Sequence, residues 1–287
     1  MPVPDDEHAL HPYEGVLVQS FGGPEGPDEV LPFLRRVTAG RGVPDERLLE
    51  VGEHYDRVGG VSPLPALNRR LVADLSAELA ERGHPLPVVL GNRNTAPFVP
   101  DALDELTEAG ARRVVVIPTS AWRSYSSCRQ YREGLAEAVE GREGLVVDKV
   151  RPFGEHPGFA ATLARHTLDA ARGAVEQVGA DGVALLYVTH SIPDTMQDAS
   201  AVMTRGYRAQ HEELIEWIAG ELGEELPLPS ELVYCSRSGA PHIPWLEPDV
   251  NDRMEELRAE GVEGVIAVPI GFVSDHMEVK YDLDTEA

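Results

Sequence analysis

The chain has 287 residues, of which 42% are hydrophobic, and this is enough for two domains that each bury a core. Its formal net charge of −24 would repel phosphate over most of the surface, so nucleic acid is excluded as a partner. The two cysteines, Cys128 and Cys235, are too few for a disulfide framework and fit a reducing compartment.

Neither a signal peptide nor a membrane span is expected. Residues 1–15 contain no basic cluster and no apolar run. No stretch approaches the roughly 20 apolar residues that a transmembrane helix needs. The sequence therefore predicts a cytoplasmic protein.

Short apolar runs alternate with longer helical patterns, which predicts an α/β fold with parallel sheets flanked by helices. Most of the runs are continuous, as in strands that are covered on both faces. Strands are predicted at 15–21, 87–91, 113–118, 144–150, 183–189, 231–235 and 264–269. Helices are predicted near 28–37, 64–82, 100–109, 128–140, 157–178, 205–222 and 248–260. The helix at 64–82 carries a leucine at every fourth position, namely Leu67, Leu71, Leu75 and Leu79.

The sequence also resembles itself. The run NRNTAPF from Asn92 resembles SRSGAPH from Ser236, and residues 16–24 resemble residues 185–193. Two similar α/β domains are therefore predicted, at 1–165 and 166–287. Because ligands of parallel sheets bind beyond the carboxyl ends of the strands, the candidate site lies at those ends and in the cleft between the domains.

Two strand ends in the first half carry aromatic residues. Phe21, Gly22 and Gly23 follow the first strand, but neither GxGxxG nor GxxxxGK[ST] occurs, so this is no phosphate-binding loop. The third strand is followed by rings, hydroxyls and arginines from Trp122 to Tyr131, which suit a flat apolar ligand with acidic substituents. The alternatives are a plain strand–helix turn in the first case and core packing of Trp122 in the second.

In the second half, His190 ends the fifth strand. Its imidazole could accept a proton or bind a metal, and the alternative is a buried histidine whose hydrogen bonds are satisfied within the protein. After the seventh strand, Glu278, Asp282 and Glu286 are spaced by four, so a helix would carry three carboxylates on one face. A row of carboxylates suits a divalent cation, and the alternative is a solvated acidic face.

The helix that carries these carboxylates is predicted to begin at a side-chain cap. Ser274 and Asp275 are both suitable N-cap residues. The chain ends within this helix without a Gly or Pro stop signal.

Four motifs together resemble the ferrochelatases, in the right order and at similar intervals: SFGGPE, YDRVGGVSPL, VTHSIP and GFVSDHMEVKYDLD. The similarity runs from about Gly15 to the last residue. It implies two Rossmann-like domains around a porphyrin cleft and a lyase that inserts Fe2+, its substrate, into a porphyrin during haem biosynthesis. SFGGPE with YSSCRQY is most similar to the actinobacterial members, which act on coproporphyrin III.

The resemblance also implies residue roles. His190 would take pyrrole protons and meet the metal, with Glu278 as its acidic partner. Asp282 and Glu286 would form a metal route. Phe21 stands where several members have a tyrosine near the metal, and a phenyl ring cannot bind iron. The positions that match porphyrin-propionate contacts are Tyr55, Ser62 and Tyr131, and Trp122 is a further candidate for porphyrin contact.

Some relatives differ from this chain in ways that bear on its cofactors. Several carry a [2Fe–2S] cluster with one ligand at the position of Cys128 and others in a C-terminal extension. With Cys235 as the only other cysteine, such a cluster is expected only in a longer form of the chain. Arg93 and Asn94 stand where some relatives have lysine and histidine. Relatives continue past Ala287, so a truncated chain is expected.

Other functions stay open. The chain could act on protoporphyrin IX, could insert cobalt or nickel into another tetrapyrrole, or could carry a porphyrin without catalysis. A zinc hydrolase using His190, His276 and Glu278 is disfavoured, because no HExxH occurs and residues two apart do not share a helical face. A monomer is expected, with at most transient contacts to other haem-pathway enzymes.

Overall fold

A computed structural model describes residues 12–202, 205–223 and 226–287. The segment 1–15, for which no signal peptide is predicted, lies mostly outside these residues. The chain divides into two compact units. Unit 1 is Met1–Thr119 with Gln130–Arg151, and unit 2 is Ser120–Arg129 with Pro152–Ala287.

Unit 1 is built on a four-stranded parallel sheet in the order β2-β1-β3-β4. Its strands are β1 (Gly15–Ser20), β2 (Val88–Asn92), β3 (Arg113–Pro118) and β4 (Val146–Lys149). Its helices are α1 (Pro27–Val37), α2 (Asp45–Asp56), α3 (Leu64–Glu81), α4 (Val99–Glu108) and α5 (Gln130–Val139). All six residues of β1 are buried, which fits a central strand covered on both faces.

Unit 2 has a three-stranded parallel sheet in the order β6-β5-β7. Its strands are β5 (Val183–His190), β6 (Ser230–Cys235) and β7 (Gly264–Val268). Its helices are α6 (Pro157–Val178), α7 (Asp194–Ala201), α8 (Tyr207–Leu222) and α9 (Val250–Glu260), with two π-helices, Tyr125–Arg129 and Glu278–Glu286. No helix among the described residues of either unit is long and apolar enough to cross a membrane.

The predicted domain boundary at 165/166 falls inside α6, which belongs entirely to unit 2. The reason is packing: Ala160 and Ala164 of this helix share one core with Tyr187 of β5 and Ile218 of α8. The change between units therefore comes before α6, at Arg151 and Pro152.

The segment Ser120–Arg129 leaves unit 1 and packs in unit 2. The indole N–H of Trp122 donates to the carbonyl of Ile270 at 3.1 Å. The side-chain amide of Gln210 makes two hydrogen bonds to the backbone of Arg123. Its oxygen accepts from the N–H at 2.9 Å, and its nitrogen donates to the carbonyl at 3.1 Å. The helix predicted at 128–140 is accordingly a π-helix of unit 2 followed by α5 of unit 1.

All seven predicted strands are present, with ends shifted by at most two residues. The leucine stripe of α3 is buried only at its end: Leu79 is 8% exposed, whereas Leu67 and Leu71 are 36% and 44% exposed. Helices α2 and α7 were not predicted from the sequence. Helix α7 has only 8 residues and few apolar ones, whereas α2 places Leu48, Val51 and Tyr55 at helical spacing, a signal that the sequence did contain.

Leu103→Ala should destabilise unit 1 by about 2–5 kcal/mol, because Leu103 is fully buried and its loss leaves a cavity. Leu71→Ala, at an exposed leucine of α3, should change the free energy of unfolding by less than about 0.5 kcal/mol. Chemical denaturation of both variants measures this. Equal losses would show that the core of unit 1 is misassigned.

Candidate active site

His190 lies at the carboxyl end of β5, the central strand of unit 2. Its ring Nδ1 is 2.5 Å from the backbone carbonyl oxygen of Ser191. A carbonyl oxygen can only accept, so Nδ1 carries the hydrogen and the neutral ring keeps its lone pair on Nε2. Ser191 is itself fixed, since its hydroxyl donates to the carbonyl of Leu246 at 2.8 Å. The strand end thus presents an imidazole fixed at Nδ1, whose basic Nε2 has no hydrogen-bond partner among the described residues.

The chain after β7 brings the acidic helix beside His190. The N–H of Gly271 donates to the carbonyl of Val188 in β5 at 3.1 Å, which ties this segment to the same strand end. Against the effect of burial, the pKa of Glu278 is lowered by His276 and, to a smaller extent, by His190 when that ring is protonated, so His190 and Glu278 are electrostatically coupled. The structure therefore brings together the two residues that the sequence assigned to the reaction centre.

The acidic helix is a π-helix rather than the expected α-helix, and it begins without a side-chain cap. The position before Glu278 is Met277, not Ser274 or Asp275. Its first backbone bonds run to the carbonyl of His276, from Val279 and Lys280 at 3.1 and 2.9 Å. The wider turn of a π-helix closes bonds between residues five apart, as from Ala287 to Asp282.

Glu278 is paired with His276. The Oε2 atom of Glu278 lies 2.6 Å from Nδ1 of His276, and the two side chains are 40% and 22% exposed. Burial opposes charge on Glu278, but the positive charge of His276, 2.6 Å away, outweighs it and lowers the pKa of the carboxyl. Burial also opposes charge on His276, and Glu278 outweighs it and raises the pKa of the imidazole. We infer an ion pair beside His190.

Sequence reasoning missed this pair because it treated His276 and Glu278 as helical neighbours. His276 precedes the helix, so the rule that residues two apart face different directions does not apply to it. The sequence did contain a signal for this pair, since His276 stands two residues before Glu278, the carboxylate at which the helix begins.

The carboxylates of Glu278, Asp282 and Glu286 do interact along the π-helix. Burial raises the pKa of Asp282 to about 6, and the charges of Glu278 and Glu286 add to this, against a hydrogen bond from Ser236 that lowers it. Ser236 donates this bond from a left-handed backbone conformation, φ 63°, directly after β6. Glu286 is exposed, whereas Asp282 is partly buried. The three carboxylates thus form a row that begins at the exposed Glu286 and continues through Asp282 to Glu278.

The predicted porphyrin contacts of unit 1 form an aromatic cluster around Phe33. The ring of Phe21 meets Phe33 edge-on at 6.0 Å, and Phe33 meets Tyr55 at 6.2 Å. Ser62 packs against Gly23, where a β-carbon would come within 2.7 Å of the serine side chain. Phe21, Tyr55 and Ser62 therefore lie in one neighbourhood of unit 1.

Arg93 joins Tyr131 to the same region. Its guanidinium lies 5.0 Å from the centre of the Tyr131 ring and 5.9 Å from that of Phe21. Tyr131 is 5% exposed, and burial raises the pKa of its hydroxyl. Asn94 turns inward, donating to the carbonyl of Phe21 at 3.0 Å. Of these four side chains, those of Tyr131 and Asn94 carry oxygen, and both are buried.

Trp122 is a core residue of unit 2. It is 3% exposed, its N–H is donated to Ile270, and its ring packs on His211 at 4.2 Å and on Phe159 at 6.3 Å. This placement matches the packing alternative, and contact with a porphyrin stays a prediction.

The cysteines do not fit a cluster of four thiolates. Cys235 is 1% exposed in β6, and burial raises the pKa of its thiol to about 12, so it is not a ready thiolate ligand. Cys128 lies on the first π-helix and is partly buried. Across residues 12–202, 205–223 and 226–287, no group of three or more His, Cys, Asp or Glu side chains is close enough to hold a metal ion by itself.

The His276–Glu278 pair predicts a pH window of stability in the metal-free protein. The contribution of Glu278, whose pKa is lowered, is complete above 4.5 and is lost as the pH falls through the lowered value. The contribution of His276, whose pKa is raised, is complete below 6.5 and is lost as the pH rises through the raised value. The Tm difference between wild type and Glu278→Gln should therefore be largest between these pH values.

Melting curves from pH 3 to 9 measure this difference. Glu216→Gln, at an exposed carboxylate of α8, is the control and should show no such maximum. A difference for Glu278→Gln that is flat with pH would contradict the ion pair.

Comparison with known proteins supplies the family. The family model described as ferrochelatase matches residues 13–287. The coproporphyrin III ferrochelatases of Streptomyces griseus and Streptomyces coelicolor are 52% and 49% identical to this chain, over 96% of it and 76% of each relative. That of Corynebacterium glutamicum is 42% identical, over 98% of this chain and 76% of the relative.

A solved chelatase structure shows a low similarity to the chain. The sirohydrochlorin chelatase SirB from Bacillus subtilis subspecies spizizenii matches with a TM-score of 0.40 at 11% identity, over 90% of this chain and 88% of that one. This likeness is too low to carry an argument. The sequence relatives and the family model are sufficient: the chain belongs to the ferrochelatase family.

Proposed function

We propose that the chain is a coproporphyrin III ferrochelatase, a lyase that inserts Fe2+ into coproporphyrin III to give coprohaem in haem biosynthesis. The observation that carries the proposal is the imidazole of His190 beside the ionised carboxylate of Glu278: Nδ1 donates to a carbonyl, and Nε2 has no partner in the part of the chain that the structure describes. Relatives 42–52% identical that bear this name support the choice of porphyrin.

The chemistry requires two N–H protons to leave the porphyrin as Fe2+ takes their place. In the proposed mechanism Nε2 of His190 accepts these protons one at a time and releases each to solvent before it takes the next. Glu278 stabilises the imidazolium that forms, because an opposite charge nearby favours the charged form. His276 keeps Glu278 ionised and oriented through their 2.6 Å contact.

Fe2+ enters as the substrate along the carboxylates of the second π-helix. Glu286 is the solvent-exposed end of this route, and Asp282 is the partly buried middle. Carboxylate oxygens suit a hard divalent cation and replace part of its water shell. With a pKa of about 6, Asp282 could also carry a proton outward at neutral pH.

The porphyrin contacts of unit 1 are proposed to act through binding. Tyr55, Ser62 and Tyr131 would hold propionate groups, and binding far from the reacting nitrogens can sustain a bent ring with its lone pairs out of plane. Phe21 would pack against the ring without binding iron. We propose that the protein acts in the cytoplasm as a monomer.

The substrate assignment is tested by an anaerobic assay with Fe2+ offered against coproporphyrin III and protoporphyrin IX in parallel. We expect coproporphyrin III to be favoured at least about tenfold in kcat/KM, because its additional propionates give charged groups that the site can bind. Equal or reversed preference would overturn the substrate. A Soret shift without metallation would instead indicate a carrier, and preference for cobalt or nickel would indicate another chelatase.

His190→Ala should lower the rate of metal insertion by about 10²–10⁴-fold while porphyrin binding persists, since the variant removes the base but no porphyrin-binding group. Binding is followed by fluorescence quenching and insertion by the Soret spectrum. His166→Ala, at an exposed histidine of α6, is the control and should behave as wild type. Insertion by His190→Ala at a near-normal rate would remove His190 from the mechanism.

A further inference from the structure

Behind His190 lies a buried hydrogen-bond chain that the reaction scheme does not use. Successive side chains of a strand point to opposite faces, so Thr189 faces away from the His190 ring. Its hydroxyl is 2.7 Å from the hydroxyl of Tyr207 and 3.0 Å from Nε2 of His211. The Tyr207 hydroxyl also donates to the backbone carbonyl of His190 at 3.2 Å. Tyr207 is 5% exposed, and Thr189 and His211 are fully buried.

The direction of these bonds follows from their acceptors. Nδ1 of His211 is 2.8 Å from the carbonyl of Tyr207, one turn earlier in α8, so Nδ1 must donate. Burial lowers the pKa of His211 to about 4, which keeps the ring neutral and makes Nε2 an acceptor. Thr189 therefore donates to His211, and its oxygen is left to accept from Tyr207. The single hydroxyl proton of Tyr207 serves both Thr189 and the carbonyl of His190.

The surroundings leave this chain little freedom. The ring of Trp122 packs on His211 at 4.2 Å, and Tyr207 meets the same imidazole edge-on at 4.5 Å. The Thr189 hydroxyl lies against Gly271, where a β-carbon would come within 2.1 Å. Gly271 is also the residue that ties the segment after β7 to β5. One packed cluster thus touches both the backbone of His190 and the segment that leads to Glu278.

We propose that Tyr207, held by Thr189 and His211, is a positioning residue that fixes the backbone of His190 so that its imidazole meets the porphyrin nitrogens. This inference rests on the proposed function for its effect on turnover. His190 is the last residue of its strand, and its carbonyl receives a side-chain donor at the point where the chain leaves the sheet. Neither ring of the pair Tyr207 and His211 touches the reacting atoms in this scheme.

The test is Tyr207→Phe, which removes one hydroxyl and keeps the ring. We expect kcat for metal insertion to fall about 10- to 100-fold, as for other residues that orient a reactive histidine, with KM for the porphyrin changed less than about twofold. Tyr187→Phe is the matched control, because the hydroxyl of Tyr187 is buried in β5 without a hydrogen-bond partner among the described residues. Its kcat should stay within about twofold of wild type.

A second pair of variants, both at Thr189, distinguishes a positioning role from an effect on folding. Thr189→Val keeps the shape of the side chain but removes the hydroxyl, and should lower kcat as Tyr207→Phe does. Thr189→Ser restores the hydroxyl and should restore most of the rate. The positioning role would be overturned if the kcat of Tyr207→Phe equalled that of Tyr187→Phe. It would also be overturned if the kcat of Thr189→Ser were as low as that of Thr189→Val.

Failure of the proposed function and failure of the positioning role give different experimental results. If the wild-type chain inserts no iron, the proposed function fails, and the ring NMR signals of His190 in the substrate-free protein decide the positioning role. They should shift in Tyr207→Phe and stay in place in Tyr187→Phe. Unmoved signals in both variants would overturn the inference.

Discussion

The candidate site depends on the parallel pairing of β5 with β7. Neighbouring parallel strands end at the same edge of a sheet, so the chain leaves His190 and the segment before Glu278 at one place. The bond from Gly271 to Val188 extends this pairing past the end of β7. A basic nitrogen and an ionised carboxylate are thereby brought together from positions far apart in the sequence.

The same constraint explains why buried polar groups gather behind the strand end. Thr189 cannot share the face of His190, so its hydroxyl enters the core and requires partners there. Tyr207 and His211, one helical turn apart on α8, supply them. In unit 1, the aromatic cluster around Phe33 offers no side-chain ligand for iron at Phe21, and the proposed metal chemistry is assigned to residues of unit 2.

Much of the fold could be predicted from the sequence because buried parallel strands are continuous apolar runs. The continuous apolar run of β5 predicted a strand covered on both faces, and a predicted helix would carry Glu278, Asp282 and Glu286, spaced by four, on one face. That spacing fits one turn of an α-helix or of a π-helix about equally well, so the type of helix could not be read from it. Leu67 and Leu71 are exposed despite the leucine pattern of α3, because burial depends on tertiary contacts that an amphipathic pattern does not contain.

The residues of the candidate site could be proposed from the sequence, but the contacts between their side chains could not. His190 and Glu278 were found from their positions at strand ends and from motifs. The His276 contact depends on where the helix begins, and the tautomer of His190 depends on the carbonyl of the next residue. Both are matters of backbone geometry, which side-chain identity alone does not determine.

The most direct measurement of the central claim is the tautomer of His190, obtained from the ¹⁵N chemical shifts of its ring in the substrate-free protein near neutral pH, with His190→Gln to assign the signal. The account predicts a neutral ring protonated at Nδ1 with a free lone pair on Nε2, ready to accept a porphyrin proton. A ring protonated at Nε2 with Nδ1 bare would contradict it.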